Sequence, residues 1–468
     1  MPRLATTVVK HPWMGMVVVG LGTMVVPFDS SVNVAFPHII RAFALPIPAI
    51  QWVVIAYTLT YAALTLVFGR LGDMIGHWFV FLAGCACSAI AFALCSAAPA
   101  YSWLLAARVL QGVGAALTLS CGPAIATSLY PEAERARILG FYTMAFGLGA
   151  VLGPVIAGQM VGQFGWQAVF WFRAPVALAA FGLAFGLPKD RGQGQQRFDA
   201  QGALLLVVTV SAMLMALNQL KVFGWWCAGA SVVAVVSAML FTRRQLRVEH
   251  PIIDLRYFRD PDFALVNAAH AALNVAGFSI MLLMPFYLDR LSGLSVPLGG
   301  IVLASSPLGI MLAAPLAGRL ATRVPPRFLA LVGSVAMAVA QIAIGMAADP
   351  PHIAILCLSM FAQGFGLGLF QVAYFDIATA TIPRENRGVA GSLVMVTRTV
   401  GVVTGATVLM LIFQTLQARA SAQGVPDTAA FLSGFQGAFH IAAALPVLVA
   451  IAGLLRGWGR RSRTVGLD

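Results

Sequence analysis

Asp29 sits inside the stretch PFDSSVNVAFPHI, Pro27 to Ile39, and Arg108, Arg173 and Arg398 each interrupt an apolar run. An acid or a base in low-dielectric surroundings is costly unless it pairs with an opposite charge or lines a cavity. Burial favours the neutral acid, and a neighbouring guanidinium favours the carboxylate. A ligand arriving beside such a pair can therefore tip a proton on or off. Binding-coupled proton transfer is the chemistry these residues offer. An Asp29–Arg108 or Asp29–Arg173 pair is expected, with a purely structural ion pair as the competing reading.

Other polar residues extend the set. Asn33 lies one helical turn beyond Asp29 on the same face. Tyr57, together with Gln111 one turn from Arg108, continues a polar lining; all three serve interhelical packing as readily as substrate contact. Asn267, His270 and Asn274 recur at i, i+3 and i+7 as one polar stripe. His270 is a candidate proton carrier, or else a hydrogen-bonded structural residue. Arg398 has no obvious sequence partner and is a candidate anion contact. Three arginines against one deep aspartate leave the buried set net positive. That balance predicts tolerance of neutral or partly anionic amphipathic compounds, since a pocket for lipophilic cations alone calls for more acid and for aromatic faces.

Long apolar elements must position these groups. The 468 residues are 60% hydrophobic and 10% charged, with mean hydropathy +0.88, which excludes an ordinary soluble domain. Apolar runs of about 20 residues indicate a polytopic helical membrane protein. Spans are expected at about 14–36, 49–68, 78–98, 101–124, 138–161, 167–187, 200–220, 224–242, 263–288, 298–317, 328–347, 352–376, 388–416 and 434–456, fourteen in all. The start MPRLATTVVKHPWMG lacks a signal-cleavage pattern, so the first span is expected to stay as an uncleaved anchor. Cys85, Cys87, Cys95, Cys121, Cys227 and Cys357 all fall in apolar runs, without disulfide or zinc spacing.

Charge orients the spans. Of 29 Lys and Arg residues, 22 fall on the side of the termini, four on the other side and three inside spans. The positive-inside rule then places both termini in the cytoplasm of a plasma membrane, in a bacterium the inner one. This distribution also explains the net charge of +13 without invoking nucleic acid. Span 1 runs outward and carries Asp29 about 22 Å from its inner end at 1.5 Å per residue. Spans 4 and 6 run inward, with Arg108 and Arg173 six or seven residues from their outer ends, so all three charges share one depth. Asp289 and Asp376 lie at span ends.

The chain also repeats itself. QGVGAAL at Gln111 recurs as QGFGLGL at Gln363, an offset of 252. At the same offset PEAER (Pro131 to Arg135) matches PRENR (Pro383 to Arg387), and Gly149 and Gly153 match Gly401 and Gly405. GRL at Gly69 recurs at Gly318. The expected organisation is a six-helix bundle over 1–187, two inserted helices with their loops over 188–262, and a second six-helix bundle with a short tail over 263–468. Similar halves with a site between them are a transporter architecture.

Two glycine motifs fit that architecture. GRLGDMIGHW, Gly69 to Trp78, reads as a tight loop, with Gly69 and Gly76 at the turn and Asp73 free to cap or pair. In GLGAVLGPVIAG, Gly149, Gly153 and Ala157 form a small-residue ridge that ends at Gly158, and Pro154 bends the helix. Ordinary tight packing accounts for part of that motif, and a hinge between rocking halves for the rest.

Taken together, FDSSVNVAFPHI, QWVVIAYTLTYAA, the Gly69–Trp78 loop, RVLQGVGAAL at Arg108, the Gly147–Gly158 motif and HPIIDLRYFRDPDF resemble the major facilitator superfamily, in particular its fourteen-helix drug:proton antiporter branch. The resemblance implies an all-α polytopic fold. It also implies proton coupling through Asp29 and Arg108, gating by Gly69, Asp73 and Gly76, and antiport through Gly149, Gly153, Pro154 and Gly158. Six positions make four departures from the pattern: Met74, His77 and Trp78 replace basic residues, Gln159 a glycine, Arg173 an asparagine, and Asp289 a glutamine.

The expected function is proton-coupled efflux of drugs or other amphipathic small molecules, with Asn33, Tyr57, Gln111, Arg173, His270, Asn274 and Arg398 lining the substrate cavity. A dedicated proton-coupled transporter of one metabolite is the alternative. The chain carries no P-loop, metal-ligand cluster or nucleophile constellation, which argues against an enzyme and against a cofactor. Its expected partners are the substrate, protons and the bilayer, and it is expected to act as a monomer.

Overall fold

A computed structural model describes residues 12–130, 135–189, 199–218, 224–248, 255–320, 323–349, 351–381 and 387–458. Residues 1–11, most of the PEAER and PRENR loops, and the first residues of HPIIDLRYFRDPDF lie outside the described set. The described secondary structure is helical throughout. The first helices are α1 (Pro12–Met24), α2 (Ser31–Val34), α3 (Phe36–Ala42), α4 (Gln51–Ile75), α5 (His77–Ser96) and α6 (Tyr101–Ser128). Then come α7 (Arg135–Phe164), α8 (Ala168–Trp171), α9 (Arg173–Ala184), α10 (Ala200–Asn218), α11 (Trp225–Gln245) and α12 (Pro261–Arg290). The last are α13 (Val296–Leu303), α14 (Ser305–Leu320), α15 (Pro326–Met346), α16 (Ile353–Thr381), α17 (Arg387–Ala422) and α18 (Asp427–Leu455).

Twelve spans, not the expected fourteen, are long and apolar enough to cross a membrane among the described residues. The two that fall short are the expected spans 167–187 and 200–220. Their apolar helices, Ala168–Ala184 and Gln201–Met213, have between 10 and 17 residues. At 1.5 Å per residue even 17 residues rise only about 26 Å, less than a hydrocarbon core of about 30 Å. Hydropathy runs through Phe172, where the structure ends α8 and starts α9. The expectation of two six-helix bundles plus two inserted helices in fourteen spans is therefore corrected to an all-helical fold with twelve candidate spans. Of the two helices expected between the halves, only α11 is a candidate span. The shorter α10 lies against α11, α4 and α17.

Local chemistry sets the breaks. Asp260 accepts a hydrogen bond from the Asp262 amide at 2.8 Å and Pro261 opens α12, a favourable N-terminus. The expected Gly69–Trp78 loop is helical as far as Ile75, so Gly69 and Asp73 belong to α4. Only Gly76, at φ +106, makes the turn, a conformation that a side chain resists. The expected span 298–317 likewise divides at Ala304 into α13 and α14.

The sequence repeat has a packing meaning. A methyl group on Gly112 of α6 would meet the Tyr57 carbonyl of α4, and one on Gly114 would meet Ser88 of α5. In α16, Gly364 stands equally close to the Ser306 carbonyl of α14, and Gly366 to the Gly333 carbonyl of α15. The glycines of each QG motif thus let one helix approach two neighbours at backbone distance, which a Cβ prevents.

Candidate transport site

The helix carrying the acid is broken at the acid. α1 stops at Met24, Pro27–Ser30 forms a 3-10 turn, and α2 resumes at Ser31. Pro27 has no amide hydrogen to continue the ladder, so the expected unbroken 14–36 span is interrupted at Asp29. The turn is held from the side: Ser30 Oγ donates to the Pro27 carbonyl at 2.9 Å and stands 3.1 Å from the Ala150 carbonyl of α7.

Both expected ion pairs form, on one carboxylate. Asp29 accepts from Arg108 Nη1 at 2.5 Å and Nη2 at 2.8 Å, from Gln111 Nε2 at 2.9 Å and from Arg173 Nη1 at 3.0 Å. Arg108 Nε donates to the Val53 carbonyl at 2.9 Å, and Arg173 Nε to the Val169 carbonyl at 2.8 Å. Aromatic faces cover both guanidinium groups. Tyr57 lies 4.4 Å from Arg108, and Phe92 and Phe170 lie 4.6 and 5.2 Å from Arg173. The arginine side chains are buried while Asp29 keeps 17% of its side chain exposed, so the acid is the open edge of the cluster. One carboxylate against two guanidiniums leaves a net positive charge, and Arg173 Nη2 has no hydrogen-bond partner among the described residues.

The second half lacks this arrangement. Gln363, the repeat partner of Gln111, accepts from Ser306 Oγ at 2.8 Å, and the position its Nε2 borders is Gly277. Where Gln111 meets a carboxylate, Gln363 meets a residue without a side chain.

His270 and its neighbours form a separate network. The His270 ring stacks on Tyr374 at 4.3 Å and 7°, and its Nδ1 lies 2.8 Å from Thr397 Oγ1. Thr397 Oγ1 also stands 3.2 Å from the Val394 carbonyl, so the threonine joins His270 to the backbone of its own helix. Nε2 is buried with no partner among the described residues. Tyr374 donates to Asn267 Oδ1 at 2.7 Å, and Asn274 donates to the His270 carbonyl at 2.8 Å. The stripe is therefore largely bonded within the protein. Arg398 is half-buried on α17, Asn33 is buried on α2, and Tyr57 reaches the Val26 carbonyl at 3.4 Å.

The small-residue ridge of α7 faces two partners. Methyl groups on Gly149 and Gly153 would meet Met24, Pro27 and Ser30, around the turn that carries Asp29. One turn on, Gly158 lies against the Val296 and Pro297 carbonyls and Gly300 of α13, and a methyl on Gly300 would strike the Pro154 carbonyl. α7 thus braces the Asp29 turn and touches the opposite half with the same face. At that end of the molecule Phe36 also stacks on Phe286 at 6.4 Å, and Arg41 pairs with Asp289. At the other end Asp73 pairs with His77 at 3.2 Å, and the Trp78 indole donates to the Ala184 carbonyl at 2.8 Å. An apolar cavity of about 510 Å³ lies between α1, α6 and α7, bordered by Gly20, Met24, Tyr130 and Phe141.

Three contributors escape a sequence reading. Gly300 is one glycine in an apolar run, Ser30 one serine of a pair, and Arg41 lies 248 positions from Asp289. Only the Gly299–Gly300 doublet was a visible signal. Asp199 also went unnoticed: buried, it accepts from Arg244 Nε at 2.5 Å, Gln245 Nε2 at 2.9 Å and the Gly202 amide at 2.8 Å. It ties the start of α10 to the end of α11.

The family model of the Major Facilitator Superfamily matches residues 13–406, and again 266–467. The chain belongs to the Major Facilitator Superfamily. Within this superfamily it is 30% identical over 402 residues to the riboflavin transporter RibZ of Clostridioides difficile (strain 630), covering 85% of this chain and 87% of RibZ. It is 28% identical over 400 residues to the multidrug resistance protein Stp of Mycobacterium tuberculosis (strain CDC 1551 / Oshkosh), covering 84% of this chain and 74% of Stp. Its fold is similar to that of a bacterial homolog of the human lysosomal transporter Spinster, with a TM-score of 0.72 at 18% identity, over 97% of this chain and 99% of that one. This chain is a multi-pass membrane transporter of the superfamily.

Proposed function

We propose that this transporter exports drugs or other amphipathic small molecules, driven by protons that enter through Asp29. The observation that carries this reading is the Asp29 cluster. A single carboxylate at a helix break, sealed by Arg108, Arg173 and Gln111, is braced by the helix that touches the opposite half. A change at the carboxylate then has a mechanical route to the interface between the halves. Alternating access follows from rocking about the α7–α13 contact. Resistance in the name of Stp, and the net positive cluster, support an amphipathic substrate that is not a simple cation.

In this reading both termini face the cytoplasm and the Arg41–Asp289 end faces outward. The outer end is then closed by the Arg41–Asp289 pair and the α7–α13 contact. The coupling runs through the first half alone, because Gly277 stands where the second half offers no acid. Gly149 and Gly153 hold the Asp29 turn to α7, while Pro154 and Gly158 form the pivot. The experiment is dye efflux from inverted vesicles with and without a proton gradient. Asp29→Asn is expected to abolish the gradient-dependent part; an intact response in the variant sinks the mechanism.

A second reading is favoured by one relative. RibZ is named for a single metabolite, and it shares more of this chain's length and identity than Stp does. A dedicated carrier moves one compound and ignores the others in a panel of structurally unrelated dyes and antibiotics; a multidrug exporter moves several.

A further inference from the structure

Of the three arginines that interrupt apolar runs, Arg398 stands apart. Arg108 and Arg173 share Asp29, whereas Arg398 has no carboxylate partner among the described residues. It is half-buried on α17, within electrostatic reach of Tyr61 on α4 and of His270 on α12. α4 belongs to the first half of the chain and α12 and α17 to the second, and α4 lies against α17. A charge at this seam is costly unless something neutralises it.

The surroundings say what kind of counter-charge fits. On one side Tyr61 packs against Tyr57 at 5.2 Å; on the other His270 stacks on Tyr374, with Phe370 at 6.3 Å beyond. A small inorganic anion needs donors on several sides, and here a single guanidinium lies within electrostatic reach of Tyr61 and His270, each a member of an aromatic cluster. An anion with a flat apolar body matches better, its charge on Arg398 and its ring among the aromatic side chains. His270 adds a requirement. Its Nε2 is buried with no partner among the described residues, so it calls for a hydrogen-bonding group on a ligand. The neighbouring seam of α4, α10 and α17 is closed to about 20 Å³, bordered by Ala62, Leu206 and Thr399, so a bound molecule requires the halves to part there.

We infer that Arg398, with Tyr61 and His270, forms a subsite for aromatic acids that carry a hydrogen-bonding group, between the two halves. This deepens the export reading by naming a substrate class, and it rests on that reading for the direction of transport alone. The Asp29 carboxylate, already accepting four hydrogen bonds, has little left for a cationic substrate, which points the same way.

The test uses the full chain in lipid nanodiscs and two fluorescent probes of nearly equal shape, 2-aminobenzoate and its neutral amide, 2-aminobenzamide. The wild type is expected to bind the acid at least about tenfold more tightly than the amide, as a charge-assisted contact requires. Arg398→Gln is expected to erase that preference, and Arg398→Lys to keep part of it. Equal affinity of the wild type for both probes overturns the inference, a result that needs no variant to fold. A preference that survives Arg398→Gln overturns it too. Export of a neutral antibiotic by cells carrying the wild type is measured alongside. Nanodisc binding needs no transport, so an absent subsite with intact export, or the reverse, tells which reading has failed.

Discussion

Arg41 and Asp289 meet as a two-bond ion pair, Nη1 to Oδ2 at 2.8 Å and Nη2 to Oδ1 at 3.0 Å, and join α3 to α12. The Arg41 side chain is 57% exposed, so solvent screens most of the attraction. The pair joins the two halves of the chain, so its small energy acts on any equilibrium that parts α3 from α12. Asp289→Asn is expected to raise the open population up to about fivefold, the equivalent of about 1 kcal/mol. Distances between spin labels on α3 and α12 report it. The charge reversal Arg41→Asp with Asp289→Arg is expected to restore the closed distance; if it opens the end further, the pair is not a latch.

His38 stands beside that pair with its Nδ1 buried and unbonded among the described residues. Burial, and then the Arg41 guanidinium, hold it below its ordinary 6.5, against an opposing pull from Asp289. The folded chain therefore binds this proton less readily than the unfolded chain does. Stability from this group is full above about pH 6.5 and is lost progressively as pH falls from that value through the lower pKa of the folded chain. His38→Gln is expected to shrink the fall in melting temperature between about pH 7.5 and about pH 5.5. Identical slopes for variant and wild type would remove His38 from the account.

Removing the carboxylate from the central cluster leaves two buried guanidiniums facing each other. Asp29→Asn is expected to destabilise the protein by about 3–5 kcal/mol, the range for an unpaired buried charge. Among the described residues Arg173 bonds only Asp29 and the Val169 carbonyl, so deleting its charge as well relieves the strain. Asp29→Asn with Arg173→Gln is expected to melt higher than Asp29→Asn alone. Melting curves in detergent decide, and a lower melting temperature for the double variant contradicts the charge balance.

At the pivot, Gly300 has no room for a methyl group against the Pro154 carbonyl and Gly158. Gly300→Ala is expected to cost about 1–3 kcal/mol in the closed state and to hold the halves apart at that end. Cysteines placed across α7 and α13 are expected to cross-link less well in this variant. Gly182, which has nothing within 4 Å, serves as the control, with Gly182→Ala leaving cross-linking unchanged.

Asp199 is a buried acid that holds two helix ends together through three hydrogen bonds. Asp199→Ala removes the carboxylate that Arg244 and Gln245 both meet, at a cost of about 2–5 kcal/mol. The loss is expected to appear as faster proteolysis around α10 and α11, with the melting of the remainder little changed. A uniform loss of stability across the chain speaks against a local tie.

Much of the fold is legible in the sequence because hydrocarbon imposes a simple rule. A segment in lipid must satisfy its own backbone, so long apolar runs are helices and their charged interruptions are conspicuous. Asp29, Arg108 and Arg173 stand out for that reason, and helix rise alone puts them at one depth. Span number was less legible, because hydropathy does not register the break at Phe172 or the short apolar part of α10. The Gly69–Trp78 stretch misled for a related reason, since glycines inside a helix read as a loop when only Gly76 turns the chain.

Residue type and spacing alone determined that this chain is a helical membrane protein with a repeated glycine plan and one deep acid, since burial cost and helix periodicity act along the chain. Only the tertiary structure decided that one carboxylate serves both arginines, that α7 braces its turn while touching α13, and that Arg41 reaches Asp289. These contacts join residues 79 to 248 positions apart, and their geometry depends on how helices lean and where they break. Apolar pattern states which segments are buried; the approach of two backbones at Gly158 and Gly300 arises only once the helices are packed.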